Sequence, residues 1–273
     1  MKYYLETNAL RALGGSLKNN EKLLKESYTS TFSLFELTKG IGRARDSDRR
    51  LGLLKSLQSV ELRFIDFMPF EMMELAFNNG AHVHESESVK VKLQAILTNT
   101  EPAQQDYKEI TERYEFGTKS FQSNMTTACA VPAPPKEMIK LSLDQMLGSE
   151  RETPSYFNKV PKDAHPSRFL MENLKQTEAP NVFRTLYPES NLSDHEILNT
   201  YNNGLDLFFF ANYAYNLKRT CLREAASKND LLDILHTLYL VDHDNIIVSN
   251  DAIFNSILPN INSISVEEYR NLL

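Results

Sequence analysis

Short apolar segments of strand length alternate with longer segments of helical periodicity near both ends of this chain. KYYL at residues 2–5 and NIIVS at residues 245–249 are the clearest strand candidates, because each is a short run of mostly apolar residues. Strands that alternate with helices favour a parallel sheet, since parallel strands need a crossover connection. The sequence therefore predicts an α/β fold with a central parallel sheet.

Weaker segments extend this pattern. Further strands are predicted at residues 28–31, 62–67 and 261–266, and helices at residues 17–25, 51–57, 71–77, 205–226 and 229–239, with a last helix at the C-terminus. Ser33 is predicted to cap a helix that contains Glu36. The apolar segment at residues 205–217 is too short and too polar to span a bilayer, so we predict that it is a buried helix.

The middle of the chain has a different composition. From Ala81 to Asn203 prolines are frequent, as in VPAPP at residues 131–135, and strand alternation is unclear. We therefore predict a discontinuous core at residues 1–80 and 204–273, interrupted by an insertion at residues 81–203. The insertion is expected to be mostly helical with irregular proline-containing segments. Its HVHE segment at residues 82–85 is either a transition-metal site or a polar stretch of the insertion.

Charge and cysteine content limit the class of protein. The net charge is −6, so a nucleic-acid-binding protein of this composition needs local basic patches. Residues 1–78 hold 12 Lys and Arg against 10 Asp and Glu, which leaves most of the acidic excess elsewhere. The two cysteines show no metal-ligand spacing, and the N-terminus lacks a signal-peptide core. A cytoplasmic protein without a membrane segment is expected.

Four acidic residues are placed where a parallel sheet binds its ligands. Glu6 and Asp251 each follow a predicted strand, and ligands bind outside the carboxyl ends of such strands. Glu36 and Asp233 lie on predicted helices next to these strands. Clustered carboxylates repel one another, and Mg²⁺ or Mn²⁺, which prefer oxygen ligands, would remove that repulsion. Taken singly, Glu6 and Glu36 are better explained as solvated residues than as ligands. Asp251 alone is also explained as a helix cap, and Asp233 as one half of an ion pair. The order, spacing and strand-end placement of the four together favour a site.

Three segments resemble the PIN-domain nucleases, a family that includes toxin ribonucleases and RNA-processing enzymes. YYLETNALRAL is similar to the opening strand and acidic motif of that family, and SLFELTKG resembles the segment with its second acid. NDLLDILHTLYL followed by NIIVSND resembles the segments with the last two acids, Asp233 and Asp251, which are 18 residues apart. The resemblance covers residues 1–78 and 205–273.

The resemblance implies a PIN-like three-layer fold and metal ligands at Glu6, Glu36, Asp233 and Asp251, with Asn8 and Ser249 in support. Asp230 is then either a helix cap or a further acid at the site. Two departures from the family are that Glu6 stands where the family has aspartate and that the middle of the chain is much longer. His236 is expected to be a structural hydrogen-bonding residue.

Two groups of basic residues are candidates for phosphate contacts. One follows Glu36 and the other precedes Asp233, and both are equally well explained as solvated helix faces. The candidate residues are Arg43, Arg45, Arg49, Arg50, Lys218, Arg219 and Arg223.

The sequence thus predicts a metal-dependent endoribonuclease that hydrolyses RNA phosphodiester bonds through an acidic Mg²⁺ or Mn²⁺ site. The alternative is a catalytically weak PIN-like module that binds RNA or a protein partner, an antitoxin being one such partner. Homo-oligomerisation stays open. A nucleotide-binding Rossmann enzyme is disfavoured, because no glycine-rich phosphate loop follows the first strand.

Overall fold

The computed structural model describes residues 2–19, 21–38, 41, 46–77, 119, 166–222, 226–227 and 229–272 of the chain. Its strands are short, and the three central ones are largely buried, whereas the two outer ones are partly exposed. They are β1 (Lys2–Leu5), β2 (Ser27–Ser30), β3 (Arg63–Ile65), β4 (Asn245–Val248) and β5 (Ser263–Ile264).

Helices surround these strands. They are α1 (Thr7–Leu13), α2 (Glu21–Glu26), α3 (Thr31–Thr38), α4 (Ser47–Gln58), α5 (Pro69–Leu75), α6 (Pro166–Leu186), α7 (Asp194–Thr200), α8 (Asp206–Leu222), α9 (Asp230–His236), α10 (Ala252–Ile257) and α11 (Val266–Asn271). Short 3₁₀ helices occupy Gly14–Asn19, Thr237–Tyr239 and Asn260–Asn262.

The strands form one sheet in the order β3-β2-β1-β4-β5, and every pairing is parallel. β1 lies at the centre, with Leu5 paired to Val248 of β4 and Tyr4 paired to Tyr28 of β2. The predicted α/β class and parallel sheet are therefore confirmed.

Helices pack on both faces of the sheet. Tyr4 of β1 belongs to one hydrophobic cluster, which includes residues of α5, α6, α8, α9 and α10. Its neighbours Tyr3 and Leu5 belong to a second cluster with residues of α1, α2, α4 and α11. Successive strand residues point to opposite faces, so these clusters flank the sheet, an arrangement consistent with three layers.

The C-terminal part of the predicted insertion packs into the first of these clusters. Met171, Phe183 and Ile197 are buried with Phe77 and with Phe210 of α8. Residues 166–203 therefore share a hydrophobic core with the segments before and after the predicted insertion, and the packing shows no boundary at residue 204. The other predictions for the insertion, including the one for HVHE at residues 82–85, concern residues outside the described part of the chain.

Two local predictions near the N-terminus are wrong. The helix predicted at residues 17–25 is divided into the 3₁₀ helix at Gly14–Asn19 and α2. α3 starts at Thr31, before the predicted cap Ser33, because the Ser30 hydroxyl lies 3.2 Å from the Ser33 amide and accepts its hydrogen bond. The Ser33 hydroxyl is thereby left for a contact with Tyr4.

Helix length also bears on membrane insertion. Across the described ranges, no helix is both long enough and apolar enough to cross a membrane.

A candidate active site at the carboxyl edge of the sheet

The candidate site lies where the chain changes direction across the sheet. β2 and β3 lie on one side of β1, whereas β4 and β5 lie on the other. At such a switch point the connections diverge and leave a crevice beyond the carboxyl ends of the strands. Because Leu5 pairs with Val248, the next residues, Glu6 and Ser249, emerge side by side at this crevice.

Glu6 is held by the start of α1. Its Oε1 accepts a hydrogen bond from the Ala9 amide at 3.0 Å and its Oε2 accepts one from the Asn8 amide at 2.6 Å. The side chain of Ser249, which follows β4, also favours the ionised form of this carboxylate. Glu6 is only 2% exposed, and this burial raises the pKa of its carboxyl group, which the charge of His236 and these hydrogen bonds partly offset.

Glu36 connects α1, α3 and α9. The Thr7 hydroxyl donates a hydrogen bond to Glu36 Oε2, and His236 Nε2 lies 2.7 Å from the same oxygen. The side chain of Glu36 remains 18% exposed whereas that of His236 is 1% exposed. Glu36 is thus partly exposed to solvent in the crevice, and the buried imidazole of His236 binds its carboxylate from the protein interior.

The imidazole of His236 is itself part of a buried polar network. Its Nδ1 lies 2.7 Å from the Tyr4 hydroxyl, which also lies 2.8 Å from Ser30 Oγ and 3.2 Å from Ser33 Oγ. Burial alone would lower the pKa of His236, but the charge of Glu36 and its hydrogen bond raise it overall. The nearby carboxylates therefore stabilise the imidazolium form of His236.

Asp233 lies one helical turn before His236 on α9 and is partly buried. Burial and then the negative charge of Asp251 raise the pKa of the Asp233 carboxyl to about 8, with smaller contributions from Glu36 and Glu6 and an opposing one from His236. Carboxylates shift one another's pKa in this way only when they lie close together. These mutual effects, with the Glu36–His236 contact one turn from Asp233, place the four predicted acids in one region of the crevice.

Asp251 caps α10 at the end of β4. Its carboxylate accepts a hydrogen bond from the Ile253 amide at 3.1 Å, and its own amide donates to Ser249 Oγ at 2.9 Å. Because Ser249 also favours ionisation of the Glu6 carboxylate, it lies between that carboxylate and the main chain of Asp251. Asn8 contributes its main-chain amide to the site through Glu6.

The donor set is chemically suited to a hard divalent cation. Carboxylate oxygens are the ligands that Mg²⁺ and Mn²⁺ prefer, and a cation would neutralise the clustered charge. Among the described residues, however, no three His, Cys, Asp or Glu side chains are already arranged to hold an ion. The oxygens of Glu6 are bound by amides, and Glu36 is bound by Thr7 and His236. Asp233, and Asp251 with one main-chain hydrogen bond to its carboxylate, are therefore the ligands that need least rearrangement.

The predicted basic residues have different surroundings. Arg49 is exposed on α4, whereas Arg50 forms an ion pair with Asp46 at 3.0 Å and donates a hydrogen bond to the Glu36 carbonyl oxygen at 3.0 Å. Lys218 lies partly buried on α8. Arg43, Arg45 and Arg223 lie outside the described residues.

Asp230 and Arg219 have a structural role. The buried Asp230 carboxylate accepts hydrogen bonds from the Tyr215 hydroxyl at 2.5 Å, the Ser227 amide at 2.7 Å and Arg219 at 3.0 Å. The Arg219 guanidinium also lies 5.1 Å from the centre of the Tyr215 ring. These contacts join α8 to α9, and they engage Arg219, one of the predicted phosphate contacts, away from the acid cluster.

Thr7 and Tyr4 are site residues that sequence reasoning missed. Thr7 carries a usable signal, because it directly follows Glu6 and its hydroxyl can reach the same crevice. Tyr4 carries none, since its partner His236 is 232 positions away and an aromatic residue in a buried strand is otherwise explained by the core.

Comparison with known proteins identified no relative of this chain. The chain matches no protein-family model, no curated protein and no solved structure.

Proposed function

We propose that this chain is a PIN-like, metal-dependent endoribonuclease. The observation that carries this proposal is the convergence of four carboxylates from four segments of the chain. Ser249 lies next to Glu6 and to the main-chain amide of Asp251, and Glu36 is bound to His236, one turn from Asp233. A cluster of like charges at a sheet's switch point is electrostatically unfavourable without a cation, which supports a catalytic site over a structural one.

Each residue of the site has a distinct task under this proposal. Asp233 and Asp251 bind the cation, and in its absence Asp233 holds a proton at neutral pH. Glu36 completes the negative site, with Thr7 and His236 fixing its orientation. Glu6 stays anchored to the amides at the start of α1.

A bound Mg²⁺ or Mn²⁺ would activate water at neutral pH and neutralise charge on the phosphate. The protein then needs no covalent nucleophile. RNA as the substrate follows from the resemblance to the PIN-domain nucleases, and partly exposed Glu36 and Asp251 mark the side from which it would approach.

The test is incubation of the purified protein with single-stranded RNA, structured RNA and DNA in Mn²⁺, Mg²⁺ or EDTA. Wild-type protein should cut RNA only with metal, and Asp251→Asn and Asp233→Asn should each lower the rate by at least a hundredfold while the fold is retained. Asp244→Asn is the matched control, because Asp244 is exposed just before β4, at the opposite edge of the sheet. Equal cutting by all three variants would contradict the site assignment.

A second candidate function is supported by the hydrogen bonding of Glu6 and Glu36. Both carboxylates are occupied by protein donors, as expected of a PIN-like module that binds RNA or a protein partner and has little catalytic power. Glu6 is longer by one methylene than the aspartate of the resembled family, which displaces its carboxylate by about 1.5 Å.

The two candidates make different predictions. The binding module should bind its partner equally in Mn²⁺ and in EDTA, whereas the nuclease requires turnover that EDTA stops. Glu6→Asp separates them further, because it keeps a good helix cap while withdrawing the carboxylate. A gain of metal-dependent cutting in Glu6→Asp over an inactive wild type would favour the binding module as the present function.

A further inference from the structure

A groove of about 660 Å³ lies beside the acid cluster, between α1 with its following 3₁₀ helix and α4. It starts at Asn8, whose amide binds Glu6, and continues past Arg11 to Gly14 and Gly15. α1 rises 1.5 Å per residue, so the groove leads away from the crevice along the length of this helix. The groove therefore begins at the residue that binds Glu6, beside the candidate active site.

The groove is positively charged although the chain as a whole is acidic. Arg11, Arg49 and Arg50 line it together with a single acid, Asp46. Asp46 lies 2.5 Å from Arg11 and 3.0 Å from Arg50, and hydrogen bonding to Arg50 lowers the pKa of Asp46, which keeps this acid ionised. Two arginine charges remain in excess, on side chains that are substantially exposed in the case of Arg11 and Arg49.

Two of the three arginines, Arg11 and Arg50, are held at defined positions. Arg50 donates to the main-chain oxygens of Glu36 and Leu37 at the end of α3, at 3.0 and 3.3 Å. Through Asp46, the position of Arg50 in turn fixes that of Arg11. Preorganised guanidinium groups are well suited to phosphate oxygens, which they bind by paired hydrogen bonds.

Glycines keep the walls of the groove open. A Cβ atom placed on Gly15 or Gly52 would meet no atom within 4 Å, so it would project into open space. Both glycines line the groove, and Gly52 lies inside α4, where glycine weakens a helix relative to alanine. Such a wall allows a ligand backbone to approach closely.

We propose that this groove binds the sugar–phosphate backbone of a single-stranded nucleic acid on its way to or from the acid cluster. RNA is the expected strand because the inference rests on the proposed function. α1 and α4 contact each other, so the groove lies between two adjacent helices, a shape that favours a single strand over a duplex. Phosphate contacts of this kind position a strand without reading its sequence.

Binding is measured by fluorescence anisotropy of a labelled 12-nucleotide RNA in EDTA, where metal-dependent cutting cannot occur. Arg49→Ala should weaken binding about five- to tenfold and reduce the slope of log affinity against log salt by about one. Lys55→Ala is the matched control, since Lys55 is an exposed cation of the same helix that does not line the groove. Equal losses in the two variants would overturn the proposal.

A steric variant tests the groove independently of charge. Gly52→Leu should weaken RNA binding by at least fivefold with an unchanged salt slope, and its thermal unfolding shows whether the fold is kept. Gly52→Ser, which adds little volume, should bind nearly as the wild type does if Gly52→Leu fails to fold. Wild-type affinity in a folded Gly52→Leu would overturn the groove assignment.

The choice of nucleic acid is tested with the same variants. If single-stranded DNA of the same sequence binds as tightly and is as sensitive to Arg49→Ala, the groove accepts both RNA and DNA single strands. Tighter binding of a blunt duplex would overturn the single-strand assignment. Cutting without an Arg49 effect contradicts the groove alone. Groove-dependent binding without cutting contradicts the nuclease proposal alone.

Discussion

His236 Nε2 lies 2.7 Å from Glu36 Oε2, although the two residues are 200 positions apart in the sequence. The other ring nitrogen of His236 lies 2.7 Å from the Tyr4 hydroxyl. A fully buried imidazole thus connects the central strand of the sheet to a carboxylate at the crevice. This arrangement resembles the outer-shell partners that orient ligands in metal sites.

Two amide variants of His236 separate its two contacts. His236→Gln retains a donor at the position of Nε2 and should keep much of the activity, whereas His236→Asn retains only the position of Nδ1 and loses the contact with Glu36. We expect His236→Asn to lower kcat by about 10- to 100-fold. Kinetics at saturating Mn²⁺, with thermal unfolding as a check on the fold, measure this difference. Equal activity of both variants would contradict a positioning role.

Asp233 should make the metal-free protein less stable as pH rises. Its folded pKa of about 8 exceeds the ordinary value of 3.8, so between these values the folded state holds a proton that the unfolded state has lost. Stability is therefore greatest below about pH 4 as far as this group is concerned, and is lost as pH rises through about 8. Urea unfolding in EDTA at pH 5.5 and pH 8 measures the slope.

Asp233→Asn should flatten that slope and stabilise the metal-free protein at pH 8 by about 1–3 kcal/mol, because it removes a buried charge next to like charges. Added Mn²⁺ should stabilise the wild type but not this variant. A variant less stable than wild type at pH 8 would show that Asp233 is favourably paired.

Asp230 on the same helix should behave in the opposite way. Its carboxylate receives Tyr215, Ser227 and Arg219 as donors, and despite burial these contacts lower the pKa of Asp230 below its ordinary value. Asp230→Asn should therefore destabilise the protein by about 3 kcal/mol at neutral pH, since it leaves Arg219 without its charged partner. Mn²⁺ should still stabilise this variant, which measurement of the midpoint with and without metal will show.

The packing of α6 predicts a single unfolding unit. Phe183 is buried, with its ring centre 5.3 Å from that of Phe77 and 4.9 Å from that of Tyr187. Phe183→Ala should lower the free energy of unfolding by about 3–4 kcal/mol and leave one cooperative transition for the core. Leu192→Ala, at a site 37% exposed, should change it by about 0.5 kcal/mol or less. A separate early transition in Phe183→Ala would instead make α6 an independent unit.

The strands that could be predicted most closely, β1 and β4, are buried along most or all of their length. β1 was predicted at its observed bounds and β4 within one residue, because buried parallel strands are short apolar runs in sequence. β5 was predicted at residues 261–266 but spans only Ser263–Ile264. Its neighbour Ile261 is 66% exposed, so apolar character there did not indicate a strand.

The parts of the candidate site that depend on local sequence could be predicted. The parts that depend on contacts between distant segments could not. Glu6 and Asp251 follow strands, so their placement follows from the parallel sheet. The network of His236 with Tyr4 and Glu36 depends on pairs more than 190 positions apart, and periodicity contains no signal for such contacts. Asp230 and Asp233 lie one turn apart on the same helix. Only their contacts with residues on other elements distinguish Asp230, a structural acid, from Asp233, an acid of the candidate site.

Proton release on metal binding tests most directly the claim that these acids form a divalent-cation site. At pH 7 the carboxyl of Asp233 is mostly protonated because its pKa is about 8, and a carboxylate must lose its proton to bind metal. Titration of the weakly buffered wild-type protein with Mn²⁺ should therefore release about one proton per chain. Asp244→Asn should release the same amount and Asp233→Asn almost none. An absence of Mn²⁺ binding, or identical release from Asp233→Asn, would contradict the account.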